Sequence, residues 1–152
     1  MKTKAKPKSN AKEKDMGRFS IEIELANYKD VVLAQSGHLD AADVRRVRIQ
    51  GVVDSGAARL VLPESAAKEL GLTVTGQVKV RYADRRTGRR PQVEGVYLTL
   101  LGRHSVFNAT LEPKRDTALI GAIVLEDLDF LVDCTRQRIY PRDPDFVVSE
   151  IE

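Results

Sequence analysis

Apolar side chains return at every second position in one stretch after another of this chain, and that period points to a β-rich domain. Phe19, Ile21, Ile23 and Leu25 alternate with Ser20, Glu22 and Glu24, which predicts a half-buried strand. Val44 to Val53 predicts a second, with Val47, Ile49 and Val53 on one side, running straight into Asp54-Ser55-Gly56-Ala57. Residues 27–43 between them show no clear period and are expected to form a long connection. Val74 to Ala83 and Val93 to Leu101 flank a polar tip with Asp84, Thr87 and Gly88, and predict a long hairpin. A turn at Gly102-Arg103-His104 leads into a strand from Ser105 to Leu111, and Phe130 to Val132 and Ile139-Tyr140 predict a last pair around Thr135-Arg136-Gln137.

Helical signals are confined to two places. Pro63 suits a first helical position, Glu64 complements the positive end of the helix dipole, Ala66, Ala67 and Leu70 are good helix formers, and Gly71 supplies a left-handed stop. The second helix is expected from Ala122 to Leu128, directly after Ala118-Leu119-Ile120-Gly121. A chain of 152 residues suits one compact domain and is too short for two full lobes around a cleft. The expected fold is therefore mostly β, a closed barrel with two short helices.

The net charge of +3 and the pI near 9.1 suggest a nucleic-acid partner until the charges are located. Residues 1–15 hold six Lys against Glu13 and Asp15, a net +4, so the remaining chain carries −1. Residues 1–16 offer almost no apolar surface to offset their chain entropy, and a disordered lysine-rich tail is expected there. A near-neutral body argues against nucleic-acid binding. The folded domain is expected over residues 17–142, and residues 143–152 are expected either to add a strand to an interface or to fray.

Several chemistries find no support. A single Cys excludes an intrachain disulfide, no apolar run approaches the roughly 20 residues of a membrane span, and a cytoplasmic protein is expected. His38, His104 and Cys134 show no metal-ligand spacing, and neither a Gly-rich phosphate loop nor a G-x-S-x-G elbow is present, so no metal or cofactor is expected. Asp54 stands out instead. It ends an apolar strand, where a carboxylate is costly to desolvate unless main-chain donors or another charge meet it, and Gly56 lets main-chain N–H groups approach. Asp-Ser-Gly alone is also ordinary turn chemistry.

The surroundings of Asp54 carry more weight than the tripeptide. Val52-Val53-Asp54-Ser55-Gly56-Ala57-Ala58 with Leu60-Val61-Leu62-Pro63 resembles the active-site segment of retropepsin-like aspartic proteases, and Leu119-Ile120-Gly121 before Val124 to Leu128 matches their second signature. The resemblance spans about Met16 to Pro141, with a hairpin between the two motifs, and is closest to bacterial single-domain members. It implies a retropepsin-like barrel with one lobe per chain, and an endopeptidase in which two carboxylates share one proton around an attacking water. Only one Asp-Ser/Thr-Gly is present, so the resemblance implies a homodimer in which each chain supplies Asp54. It further implies support of the active-site loop by Ser55, Gly56 and Ala57, a polypeptide substrate, and a flap carrying Ala83, Asp84, Arg85, Arg86, Thr87 and Gly88 at its tip. Viral members pair an acidic residue after Asp-Thr-Gly-Ala with an arginine after the helix-leading glycine; Ala58 and Ala122 stand there in this chain. A non-proteolytic binding or dimerisation module on the same fold is the alternative.

Overall fold

The computed structural model describes residues 18–151, so the lysine-rich segment 1–16 lies outside the described residues. β1 (Arg18–Asn27) runs antiparallel to β2 (Arg46–Asp54). Ile23 faces Ile49 and Leu25 faces Val47, so the odd-numbered apolar residues of both strands share the inward side. β3 (Leu60–Pro63) lies parallel to β6 (Arg103–Glu112), and β7 (Ala118–Ile120) slots between β3 and β2. β5 (Thr87–Leu100) pairs with β6 on one side and with β1 on the other. That last pairing closes a six-stranded mixed barrel in the order β1-β2-β7-β3-β6-β5. Leu25, Val53, Leu60, Leu62, Val96, Leu98 and Ile120 are fully enclosed in its core.

β4 (Val74–Arg81) pairs only with β5, so the β4–β5 hairpin projects from the barrel as an arm. β5 serves both arm and barrel. Its register shifts between Val93 and Val96, where Gly95 takes φ +72°, a conformation that costs a residue without Cβ little. A separate ribbon, β8 (Phe130–Asp133) with β9 (Arg138–Pro141), ends the domain, and residues 143–151 form no strand within this chain. No described helix is long and apolar enough to cross a membrane.

The mostly β barrel agrees with the expected fold class, and two details differ. Residues 27–43 are not a plain connection: they contain α1 (Tyr28–Gln35) and a 3-10 turn at Ala41–Asp43, so there are three short α-helices among the described residues rather than two. Only Asp30 and Val31 of α1 are buried, too narrow a contact to leave a helical period in the sequence. Its start is set by Asn27, whose side-chain oxygen accepts the Asp30 N–H at 3.2 Å while its amide donates to Leu70 O at 2.9 Å. The other helices, α2 (Glu64–Glu69) and α3 (Ala122–Asp127), lie close to where expected, except that Pro63 is the extended residue ending β3 just before α2 rather than its first helical position; α2 closes on Gly71 at φ +67° with Leu72 N–H donating to Ala67 O. The second difference is the arm, where β5 begins at Thr87 rather than Val93 and leaves a shorter tip.

α1 is fastened to the barrel by charge. The buried Asp30 carboxylate accepts from Arg45 N (3.0 Å), Nε (2.8 Å) and Nη2 (3.0 Å). The Arg45 side-chain hydrogen bonds hold the Asp30 carboxyl below its usual range, against the opposing effect of burial. A carboxyl depressed in the folded state stabilises it above the unfolded pKa of about 3.9, and that contribution fades as pH falls through the lower folded value. Asp30→Asn is therefore expected to lower the thermal midpoint at about pH 7, by an amount that narrows as the pH approaches about 3. A difference that stays constant across that range would show that Asp30 acts through packing alone.

Candidate active site

β2 delivers Asp54 to the barrel rim, where the chain must turn at once to reach β3. The turn is closed by Ala57 N–H donating to Asp54 O at 3.1 Å, and Gly56 N–H donates to Asp54 Oδ1 at 3.0 Å. The carboxylate is thus aimed by main-chain donors. Its side chain is 17% exposed, enough for solvent or a ligand to reach it, and Oδ2 lies 3.4 Å from Arg18 Nε on the neighbouring strand. Gly56 and Arg18 are its only polar partners among the described residues, so no second carboxyl group lies within hydrogen-bond reach. Ser55 and Gly56 are exposed beside it and Ala57 is half-buried.

A second segment braces this loop. Ala122 N–H donates to Ala57 O at 2.8 Å and Ile123 N–H to Ala58 O at 3.0 Å, so the start of α3 holds the loop that leaves Asp54. Gly121 makes the approach feasible: a Cβ there would lie 2.7 Å from Arg59 N and 2.8 Å from Ala57 O, and closer still to Arg59 O. Ala58 and Ala122, which replace the charged pair of viral members, sit at this brace, where backbone hydrogen bonds make the connection.

Across from the Asp54 loop lies the projecting arm, and the two face a groove of about 570 Å³. Gly56, Ala57, Val61 and Leu119 line one side; Val80 and Tyr82 line the other. The expected flap residues divide between two elements. Ala83, Asp84, Arg85 and Arg86 form the turn, with Arg85 at φ +71° and Tyr82 N–H donating to Arg86 O at 2.8 Å, whereas Thr87 and Gly88 already belong to β5. Asp84 stiffens the tip by accepting Arg86 N–H at 3.0 Å and Arg86 Nε at 2.6 Å, bonds that hold its carboxyl below the usual range.

The arm is anchored to the barrel by residues that no sequence motif marked. The Tyr82 hydroxyl donates to Glu112 Oε2 at 2.6 Å, Arg90 Nε donates to Glu112 Oε1 at 3.1 Å, and the Arg90 guanidinium lies over the Tyr82 ring at 5.7 Å. Burial, then Glu112, pushes the Tyr82 phenol up, which keeps it a donor. Thirty positions separate Tyr82 from Glu112, and the pairing of β4 with β5 and of β5 with β6 brings them together. Arg18 was likewise invisible as a site residue, since its place opposite Asp54 follows from β1–β2 pairing. His104 instead stacks on Tyr97 at 5.0 Å, and Cys134 is a half-buried free thiol.

Residues 41–132, more than half of the chain and inclusive of both braced segments, match the aspartyl protease family. The chain belongs to that family. Its barrel is retropepsin-like: the EIAV protease complexed with the inhibitor HBY-793 superposes with a TM-score of 0.50 at 13% identity, covering 73% of this chain and 88% of that one. A retropepsin-like aspartic protease from Rickettsia conorii aligns at 17% identity and a TM-score of 0.44 over 76% of this chain and 86% of that one. The simian foamy virus protease aligns at 13% identity and a TM-score of 0.46 over 72% and 94%. No curated protein matches this aspartyl protease family member.

Proposed function

We propose that the chain is an aspartic endopeptidase that works as a homodimer, with one Asp54 from each chain flanking the attacking water. The observation that carries this reading is Asp54 itself, held at the barrel rim by Gly56 N–H with no other carboxyl group in reach among the described residues. Two-fold pairing of this rim would bring two such carboxylates together, and two that close hold one proton between them because both cannot ionise cheaply. The ionised member takes a proton from the water as its oxygen bonds to the peptide carbonyl carbon. The protonated member donates to the carbonyl oxygen. Collapse of the tetrahedral species breaks the C–N bond as the nitrogen takes up a proton, returning the pair to its starting state.

Ser55 is assigned the cross-dimer hydrogen bond, Gly56 and Ala57 the approach of the substrate backbone, and the tip from Ala83 to Gly88 the cover that excludes water. Arg18 would have to share Asp54 with the partner's rim or swing aside. Residues 17–142 constitute the catalytic domain in this reading. The segment 143–152 is assigned to the interface, an assignment supported by the 68%, 50% and 93% exposure of Phe146, Val148 and Ile151. A cytoplasmic setting suits a chain with one free thiol.

The test is hydrolysis of an unfolded polypeptide by the full chain, followed by mass spectrometry across pH. Cleavage is expected under acidic to mildly acidic conditions and should be blocked by a statine-type compound, whose hydroxyl takes the place of the attacking water. EDTA should leave the rate unchanged. Inhibition by EDTA reversed by added metal, or no cleavage at any pH from a proven dimer, would overturn the reading and favour a binding module.

A further inference from the structure

Three arginines and one acidic residue line the groove beside Gly56, and the acidic side chain is already occupied. Arg59 follows the Asp54 loop, Arg81 ends β4 just before the flap turn, and Arg115 lies in the loop ahead of β7; all three line the groove. None of them makes an ion pair among the described residues. Glu112 is the only acidic side chain in the lining, and its two oxygens are taken up by Tyr82 and Arg90. Arg115 is also held in orientation. Its Nε donates to Thr117 O at 2.9 Å and its Nη2 to Thr117 Oγ1 at 3.1 Å, which fixes the plane of the fork while leaving Nη1 free of these bonds. The walls between the arginines are apolar, with Val61 and Leu119 on the barrel side.

We propose that this groove is a subsite for an acidic side chain of the polypeptide substrate, with Arg59, Arg81 and Arg115 as its specificity-determining residues. The identification of the occupant as substrate rests on the peptidase reading above. A carboxylate entering the groove would meet cations that have no ion-pair partner among the described residues, beside an apolar wall that lowers the local dielectric and strengthens the attraction. Arginine suits the task because its planar fork matches the two oxygens of a carboxylate, and its weaker hydration makes seating an anion less costly than a lysine would. Arg81 comes from the projecting arm and Arg59 and Arg115 from the barrel side, so the subsite spans both walls of the groove.

Binding, not cleavage, provides the test. Two fluorescein-labelled octapeptide pools are compared, random in Ala, Val, Leu, Ser and Thr except for Glu or Gln at the fourth position. They are titrated by anisotropy against the full chain bearing Asp54→Asn, which keeps the peptides intact. The Glu pool is expected to bind roughly tenfold tighter at about 0.05 M salt, the scale of one charged hydrogen-bonded contact. The advantage should shrink to about twofold or less near 0.5 M salt. Adding Arg59→Gln, Arg81→Gln and Arg115→Gln should abolish it. A control with Lys29→Gln, Lys68→Gln and Arg138→Gln, equal in charge change, should retain it. Equal binding of the pools, binding of neither, or an advantage that survives loss of the three groove arginines would overturn the proposal. Failure of the unmutated chain to cleave any polypeptide would refute the peptidase reading and leave the binding result as it stands.

Discussion

Asp54→Asn is expected to abolish peptide hydrolysis, lowering the rate by roughly 10²–10⁴-fold or more, the contribution of a positioned acid–base group. The fold should survive. Asn keeps an oxygen for the Gly56 N–H, and the Arg18 pair that it loses is solvent-exposed on the arginine side, where such pairs contribute little. The shared-site mechanism makes a sharper statement about mixtures. When unmutated and Asp54→Asn chains are co-refolded at fixed total concentration and pair at random, only dimers of two unmutated chains retain both carboxylates. Activity should then follow the square of the unmutated fraction, about a quarter at equal mixing. Dilution below the dimer dissociation constant should lower specific activity as well. Activity proportional to the unmutated fraction, or present in a proven monomer, would rule out a site shared between chains.

Gly121→Ala should be nearly as damaging for a different reason. The added methyl would press on the backbone at Arg59 and Ala57, which cannot rotate away as a side-chain end can. Overpacking of this kind costs about 1–3 kcal/mol or somewhat more, and for a domain of this size the thermal midpoint should fall by roughly 2–10 °C. The larger effect should be on catalysis. Displacing the loop from Asp54 to Arg59 by about 1 Å would move the carboxylate off its place, a misplacement that costs on the order of 10²-fold. Gly76→Ala is the matched control: a Cβ at Gly76 meets nothing within 4 Å, so its thermal midpoint should stay close to that of the unmutated chain. A Gly121→Ala chain with unchanged stability and activity would show that the brace by α3 does not position Asp54.

Much of this protein was written locally. The alternation of Phe19 to Leu25 and Val47 to Val53 specified which side of β1 and β2 turns inward, because a strand's side chains face opposite sides at successive positions. Gly71 marked the end of α2, since a left-handed residue there needs no Cβ, and the run Val52 to Ala57 marked the turn that presents Asp54. The likeness of two short motifs to one family, in order around a hairpin, was legible for the same reason: each motif is a contiguous stretch with its own backbone demands. α1 escaped because its contact with the barrel is a buried Asp30 and Val31 beside a capping Asn27, not a stripe of apolar residues.

What the tertiary structure alone decided involves residues far apart in the chain. Closure of the barrel by β1 and β5, Arg18 opposite Asp54, and the anchoring of Tyr82 and Arg90 on Glu112 all depend on strand order and register. The arginine-lined groove is of the same kind: Arg59, Arg81 and Arg115 come from three separate elements and share no spacing. Periodicity reports only which side of a segment avoids water. Which segments become neighbours is settled when those sides are buried together, and a one-residue change of register would bring a different set of polar groups to the rim.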